Sequence, residues 1–162
     1  MTNPSDHAVG RLVAPLSLAQ AATIVDAAVA AGRTAGFEPL TVAVLDAGGH
    51  LIALKREDGS GILRPQIAIG KAWGALGMGV PSRTLSRRLA ERTAFQAALA
   101  AASDGRFVAV PGGVLVRDAE GLVIGAVGIS GDTSDKDEYA AITGVRAAGL
   151  EPEPATPVEN WQ

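Results

Sequence analysis

Residues Leu40–Glu57, LTVAVLDAGGHLIALKRE, decide the fold, and a related stretch returns at Val114–Ile129, VLVRDAEGLVIGAVGI. Each reads as a β-rich apolar run, an Asp-Ala-x-Gly turn and a second apolar run, which is the pattern of a tight hairpin. Two β-hairpins are therefore expected, with the remaining apolar periodicity supplying helices to cover them. The likeness of the two stretches makes an ancient duplication plausible.

On the N-terminal side, Ser17 followed by Gln20 forms a capping-box pattern. Leu18, Ala21, Ala22, Val25 and Val29 then recur at helical spacing until Gly36 supplies a stop. Between the hairpins, the polar loop Arg56–Gly61 leads to Pro65, which suits the first turn of a second helix running toward Met78. Gly70, Gly74 and Gly77 lie along that helix. Each lowers helix stability by about 1 kcal/mol relative to Ala, so another backbone is expected to press against that face.

Pro81-Ser82 restarts the helical pattern, and Leu85, Leu89, Phe95 and Leu99 predict a single third helix to about Ala102. Phe107–Val110 reads as a short strand and Pro111-Gly112-Gly113 as a bend or bulge. A last helix is expected from about Ser134 to Ala148. The resulting order, α-β-β-α-α-β-β-α, is an α+β domain with one mainly antiparallel four- to five-stranded sheet packed by helices. Residues 1–15 read as a flexible arm, 16–150 as the domain, and 151–162 as a Pro-rich tail, extended or disordered. Trp161 in that tail is either an exposed aromatic or an anchor on a neighbouring subunit.

The totals bound the function. The 162 residues fit one domain, and 48% apolar with only 4% aromatic residues means a core of Ala, Val, Leu and Ile. A net charge of -3 gives no electrostatic basis for nucleic-acid binding. The absence of cysteine excludes disulfides and thiolate metal sites, and His7 and His50 are the only histidines. No apolar run approaches the ~20 residues that span a bilayer, and the N-terminal stretch lacks a signal-peptide pattern, so a cytoplasmic location is expected. No G-x-x-x-x-G-K-[ST] loop occurs, and GISGD departs from a nucleophile elbow in its last residue.

Several side chains carry candidate chemistry. His50 closes the first turn, where imidazole can act as acid/base or metal ligand, with Asp46 placed to orient it; the competing reading is a solvated turn histidine. Lys71 is a lone cation in the Ala/Gly-rich second helix. It could hold a carboxylate or serve as a base if burial lowered its pKa, or its stem could snorkel to water. Arg64 precedes that helix beside a possible pocket.

Arg83, Arg87, Arg88 and Arg92 put a basic side on the third helix, either anion-binding or merely solvated. In GDTSDKDE, Gly131–Glu138, four carboxylates crowd a helix N-terminus and would repel phosphate, so capping by Thr133 or Ser134 is expected there.

The segments LTVAVLDAGGHLIALKRED, GKAWGALGM and VPGGVLVRDAEGLVIGAVGISGDTSDKDE, with the spacing between them, resemble the GlcG/HbpS-like (DUF336) haem-binding family, seen also as the C-terminal domain of PduO-type corrinoid adenosyltransferases. The resemblance runs from about Leu16 to Leu150. It implies a layered antiparallel sheet, haem or another anionic ligand near the first hairpin and second helix, and a homo-oligomer, for which the Gly-rich and Ala-rich helix faces are further support.

Under that reading His50 is the candidate ligand of the haem iron, with Met78 and Tyr139 as other possible ligands. Lys71 is then placed for a propionate, and Arg64 and Asp46 belong to the pocket. The rival is a small-molecule isomerase, lyase or hydrolase acting on an organic acid. There His50 and Lys71 are the acid/base groups and Arg64 orients the carboxylate.

Overall fold

A computed structural model describes residues 10–162. Of the arm expected over residues 1–15, the part up to residue 9 lies outside the described residues, and residues 10–15 form neither helix nor strand. The elements are α1 Leu18–Ala35, β1 Thr41–Asp46, β2 Leu51–Arg56, α2 Arg64–Met78, α3 Ser82–Leu89, α4 Thr93–Ala102, β3 Gly113–Arg117, β4 Val123–Ser130, α5 Ser134–Ala147 and β5 Glu151–Glu153. The strands form one sheet in the order β2-β1-β4-β3-β5, with every pairing antiparallel.

Period-two alternation sorts the strand side chains into two cores. Val42, Val44, Val114, Val116, Val127 and Ile129 pack with the buried residues of α1 and α5. Their neighbours Leu45, Leu115 and Ala126 pack with Ala72 and Ala75 of α2 on the opposite face. The sheet is thus the middle of three layers, which explains why β1 is buried almost throughout.

The duplicated hairpins build the same turn. Asp46 N–H donates to the His50 carbonyl and Gly49 N–H to the Asp46 carbonyl, each at 2.9 Å; Asp118, Leu122 and Gly121 repeat both bonds at 3.0 Å. Each aspartate Oδ1 also accepts two backbone N–H groups, from Gly48 and His50 in the first turn and from Glu120 and Leu122 in the second. Gly49 and Gly121 both have φ of 81°, the left-handed conformation that glycine tolerates.

The close approach expected along the glycines of the second helix is found at Gly70 and Gly74 but not at Gly77, whose added Cβ would meet only Trp73 of the same helix. The sheet presses on α2 from the other side. Gly128 of β4 lies under the Ala68 carbonyl and Gly113 of β3 under that of Lys71, so α2 sits on the sheet backbone to backbone. Outside, Gly70 makes room for Val108 and the Arg106 carbonyl, and Gly74 for Phe107. Residues 107–110 are therefore a loop laid along α2 and not the expected strand. Val108 N–H donates to the Gly70 carbonyl of α2, at 3.4 Å, in place of a strand partner.

The expected single third helix is two, α3 and α4, broken at Ala90–Arg92. A straight helix would carry Leu99 about 15 Å beyond Leu89. The break lets Leu99 fold back onto the cluster of Leu85, Leu89, Phe107 and Ala109. Ser82, at the start of α3, fastens this unit to the sheet: its buried hydroxyl accepts from Gly113 N–H at 2.7 Å and donates to the Gly113 carbonyl at 3.2 Å. Ser82→Ala leaves that N–H without a partner and is expected to lower stability by about 1–3 kcal/mol in urea unfolding.

At α5 the capping differs from expectation. Thr133 is the N-cap, but its side chain makes no cap bond. Instead Asp132 Oδ1 accepts from Thr133 N–H at 2.7 Å, and Asp137 Oδ1 accepts from Asp132 N–H at 3.2 Å. The ends of α1 are as the sequence predicts, with the Ser17–Gln20 capping box formed and Gly36 left-handed.

The tail is extended and docked. β5 pairs with β3, Arg117 Nε donates to Glu153 Oε2 at 2.7 Å, and the Trp161 ring stacks on Tyr139 with centroids 3.7 Å apart. Trp161 is thus an anchor onto this chain's own α5. Among the described residues no helix is long and apolar enough to cross a membrane.

Candidate functional site

The first hairpin turn presents His50 to the outside. Its side chain is 83% exposed, and its Nδ1 stands 3.4 Å from Asp46 Oδ1. Asp46 is fixed by the Gly48 and His50 N–H groups at 2.8 and 2.9 Å. The His50 N–H bond, with that of Gly48 and the imidazole itself, holds the Asp46 carboxyl below its usual pKa despite slight burial. Asp46 Oδ1 is already taken by those two backbone N–H groups, and the imidazole lies beside it without the geometry of a hydrogen bond, so both ring nitrogens remain open to a ligand.

Two recesses flank this turn. On one side a groove of about 470 Å³ runs between the turn residues Asp46, Ala47 and Gly48 and the apolar side chains of Leu12, Val13, Leu16, Leu18 and Ile52. On the other, a smaller recess of about 130 Å³ lies between the turn and Trp73, Leu76 and Gly77 of α2. Trp73 packs against Gly49 from below, and the Arg106 guanidinium lies over its ring at 4.5 Å. Met78, at the end of α2, lines an adjoining apolar cavity of about 160 Å³ with Trp73, Leu99 and Phe107. Leu12, Val13 and Leu18 of the groove, and Leu51 next to His50, are exposed among the described residues.

Lys71 is elsewhere. It lies two residues before Trp73 and so on the other side of α2, where it is 2% exposed and its Nζ meets Asp137 Oδ2 at 2.8 Å. Burial pushes the Lys71 ammonium down and the Asp137 carboxyl up in pKa, each opposed by the partner's charge. Arg64 donates to Ser130 Oγ at 3.1 Å, and its charge bears on the same pair.

The sequence candidates therefore divide into two groups. His50, Asp46 and Met78 border the outer face of α2 and the first turn. Lys71 and Arg64 belong to an internal polar cluster, and neither a shared acid/base site of His50 with Lys71 nor a ligand contact through Lys71 is assembled. Tyr139 is engaged by Trp161 and stands apart from both.

Three residues take a specific place only in the structure. Asp137 was counted among the carboxylates of a crowded helix end, although a lone lysine in an apolar helix demands a buried counter-ion. Trp73 was legible only as the one aromatic in GKAWG. Glu138, beside Asp137, is fully buried, and neither of its oxygens accepts a hydrogen bond from a described residue. Arg83 Nη1 approaches its Oε1 to 3.0 Å as an ion pair, without the alignment of a hydrogen bond.

Burial raises the Glu138 pKa from 4.5 to about 7, against the Arg83 charge. The folded chain then keeps a proton that the unfolded chain releases. The stability owed to neutral Glu138 is full below about 4.5 and is lost as pH rises through about 7. Glu138→Gln is expected to flatten that slope in unfolding curves taken across the range.

The remaining candidates are structural. Arg83 pairs inward, Arg92 lies over the Phe95 ring, and Arg87 and Arg88 are exposed. Among the described residues, no group of three or more His, Asp or Glu side chains could hold a metal ion without other ligands.

Comparison with known proteins agrees with this architecture. The chain is similar in structure to a PduOC–haem complex, with 27% identity, a TM-score of 0.75, and coverage of 83% of this chain and 96% of that one. It is similar to HbpS at 27% identity and TM-score 0.69, over 90% and 97% of the two chains. It is also similar to the Klebsiella pneumoniae protein ORFY, of family DUF336, at 25% identity and TM-score 0.72, over 92% and 97%. A sequence comparison with curated proteins finds no match. The profile of the family described as "Haem degrading protein HbpS-like" matches residues 16–146, most of the described chain, and the chain belongs to that HbpS-like family.

Proposed function

We propose that this protein binds haem beside the first hairpin turn, with His50 Nε2 as the axial ligand of the iron. The observation that carries this reading is the comparison of the two turns. They share their hydrogen bonds and their left-handed glycine, yet the fifth residue is Leu122 in one and His50 in the other. The turn does not need a histidine. The imidazole is exposed, with Asp46 3.4 Å from its Nδ1, and the other residues of the turn border an apolar groove.

The residues present suit a porphyrin. Leu12, Val13, Leu18 and Leu51 are exposed apolar side chains that a ring could cover, and Arg106 over Trp73 offers a cation for a propionate. Bound haem would supply an iron centre able to take a further ligand. The chain's own work would be to present the His50 imidazole, with Asp46 beside its other nitrogen. The haem named for the PduOC complex and the description of the HbpS-like family support this choice of ligand.

The test is a haemin titration with albumin as control. The saturable Soret shift of the intact chain is expected to weaken by at least about tenfold in affinity in His50→Ala, in keeping with loss of a metal-ligand group.

We further propose that the working form is a homo-oligomer. Apart from Thr93 and Gln96, α4 consists of Ala, Leu and Phe, and none of its residues is buried within the chain. Sedimentation showing a monomer at micromolar concentration would remove that proposal.

A further inference from the structure

The family profile matches up to residue 146, and the docked tail lies beyond that match. Its distal part is held at three points. Arg146 Nη2 donates to the Ala155 carbonyl, Arg83 Nη2 donates to the Thr156 carbonyl at 3.1 Å, and Trp161 stacks on Tyr139, with Phe37 edge-on at 5.8 Å. Arg83 is the link between tail and core, because its other terminal nitrogen faces Glu138. Tyr139, under Trp161, is the residue next to Glu138 on α5.

We propose that residues 155–161 form a strap tied to Glu138 through Arg83, and that the strap loosens when Glu138 gives up its proton. Glu138 is wholly buried and accepts no hydrogen bond from a described residue, which is a poor setting for a carboxylate and a tolerable one for a neutral acid. Arg83, only partly exposed, lies between it and Thr156.

Lifting the strap frees Arg83 and lets water reach the carboxyl, and water favours the ionised form. Docking of the strap and protonation of Glu138 therefore support each other, and each must shift the other's equilibrium equally. The charges that bear on Glu138 are Arg83 and Arg87 of α3, Lys71 of α2 and Asp135 of α5. The cations favour ionisation and Asp135 opposes it, yet burial outweighs them and keeps the carboxyl's pKa near neutrality. The strap thus responds to pH in the physiological range and closes on the acid side.

The experiment uses the full chain with Trp73→Phe, which leaves Trp161 as its sole indole. Acrylamide quenching of Trp161 fluorescence is followed from about pH 5.5 to about pH 8.5, a window spanning the raised acid. Quenching is expected to rise about twofold or more as pH increases, as a strap shifting from mainly closed to substantially open requires. The Glu138→Gln variant in the same background is expected to stay protected throughout.

A flat or falling profile in the parent, or an equal rise in Glu138→Gln, overturns the proposal. Should Glu138→Gln lose its fold by circular dichroism, carboxyl NMR of Glu138 decides. Trp161→Ala is expected to lower the pH at which Glu138 titrates, and an unchanged midpoint overturns the proposal.

Discussion

Lys71→Ala is expected to destabilise the protein by about 3–5 kcal/mol, the usual consequence of removing one partner of a buried ion pair. The loss comes from what is left behind. Asp137 is 1% exposed, and one of its oxygens is aimed at the Lys71 ammonium. Gly112 walls the pair so closely that a Cβ there would stand 2.9 Å from Nζ, which leaves little room for water to replace the cation. Replacing both partners, as Lys71→Met with Asp137→Leu, is expected to recover most of the stability, since no charge is then stranded. Urea midpoints of the single and double variants measure the difference. A Lys71→Ala chain as stable as its parent would mean that the pair is solvated.

Gly128→Ala is expected to cost about 3 kcal/mol or more, at the upper end for overpacking, because the added methyl meets backbone. Its Cβ would overlap the Ala68 carbonyl and reach Ala72 N at 2.9 Å. α2 cannot lift away to relieve the clash, since the same helix is seated on Gly113 and pinned outside by Val108 at Gly70. Gly77→Ala is the control: its nearest neighbour is the Trp73 ring at 3.7 Å, an ordinary contact, so helix propensity should add up to about 1 kcal/mol of stability. The pair of variants separates glycines needed for close approach from one that is not, again by unfolding midpoint.

Both effects bear on how much of this protein its sequence discloses. The hairpins were legible because alternation and the Asp-Ala-x-Gly turns are local signals, and Gly70 and Gly74 forecast close packing on α2. The α3–α4 break was not, because no Gly or Pro marks Ala90–Arg92 and the reason for it is Leu99 returning to a distant cluster. β5 was hidden by Pro152, which a strand accepts only at an edge such as this one.

The site was half legible. Asp46 and His50 sit in one turn and could be paired by eye. Lys71 looked available because its partner, Asp137, is 66 residues away and reaches it only through the packing of α5 against the sheet.

If His50 ligates haem as proposed, with Asp46 beside its Nδ1, haemin uptake depends on both residues. That dependence is tested most directly by titrating haemin into the intact chain, Asp46→Asn and His50→Ala side by side, and reading the Soret band against an albumin control. The account predicts a saturable shift in the intact chain, a weaker one in Asp46→Asn and its loss in His50→Ala. Identical spectra and affinities in the intact chain and His50→Ala, or uptake no more specific than that of albumin, would contradict it.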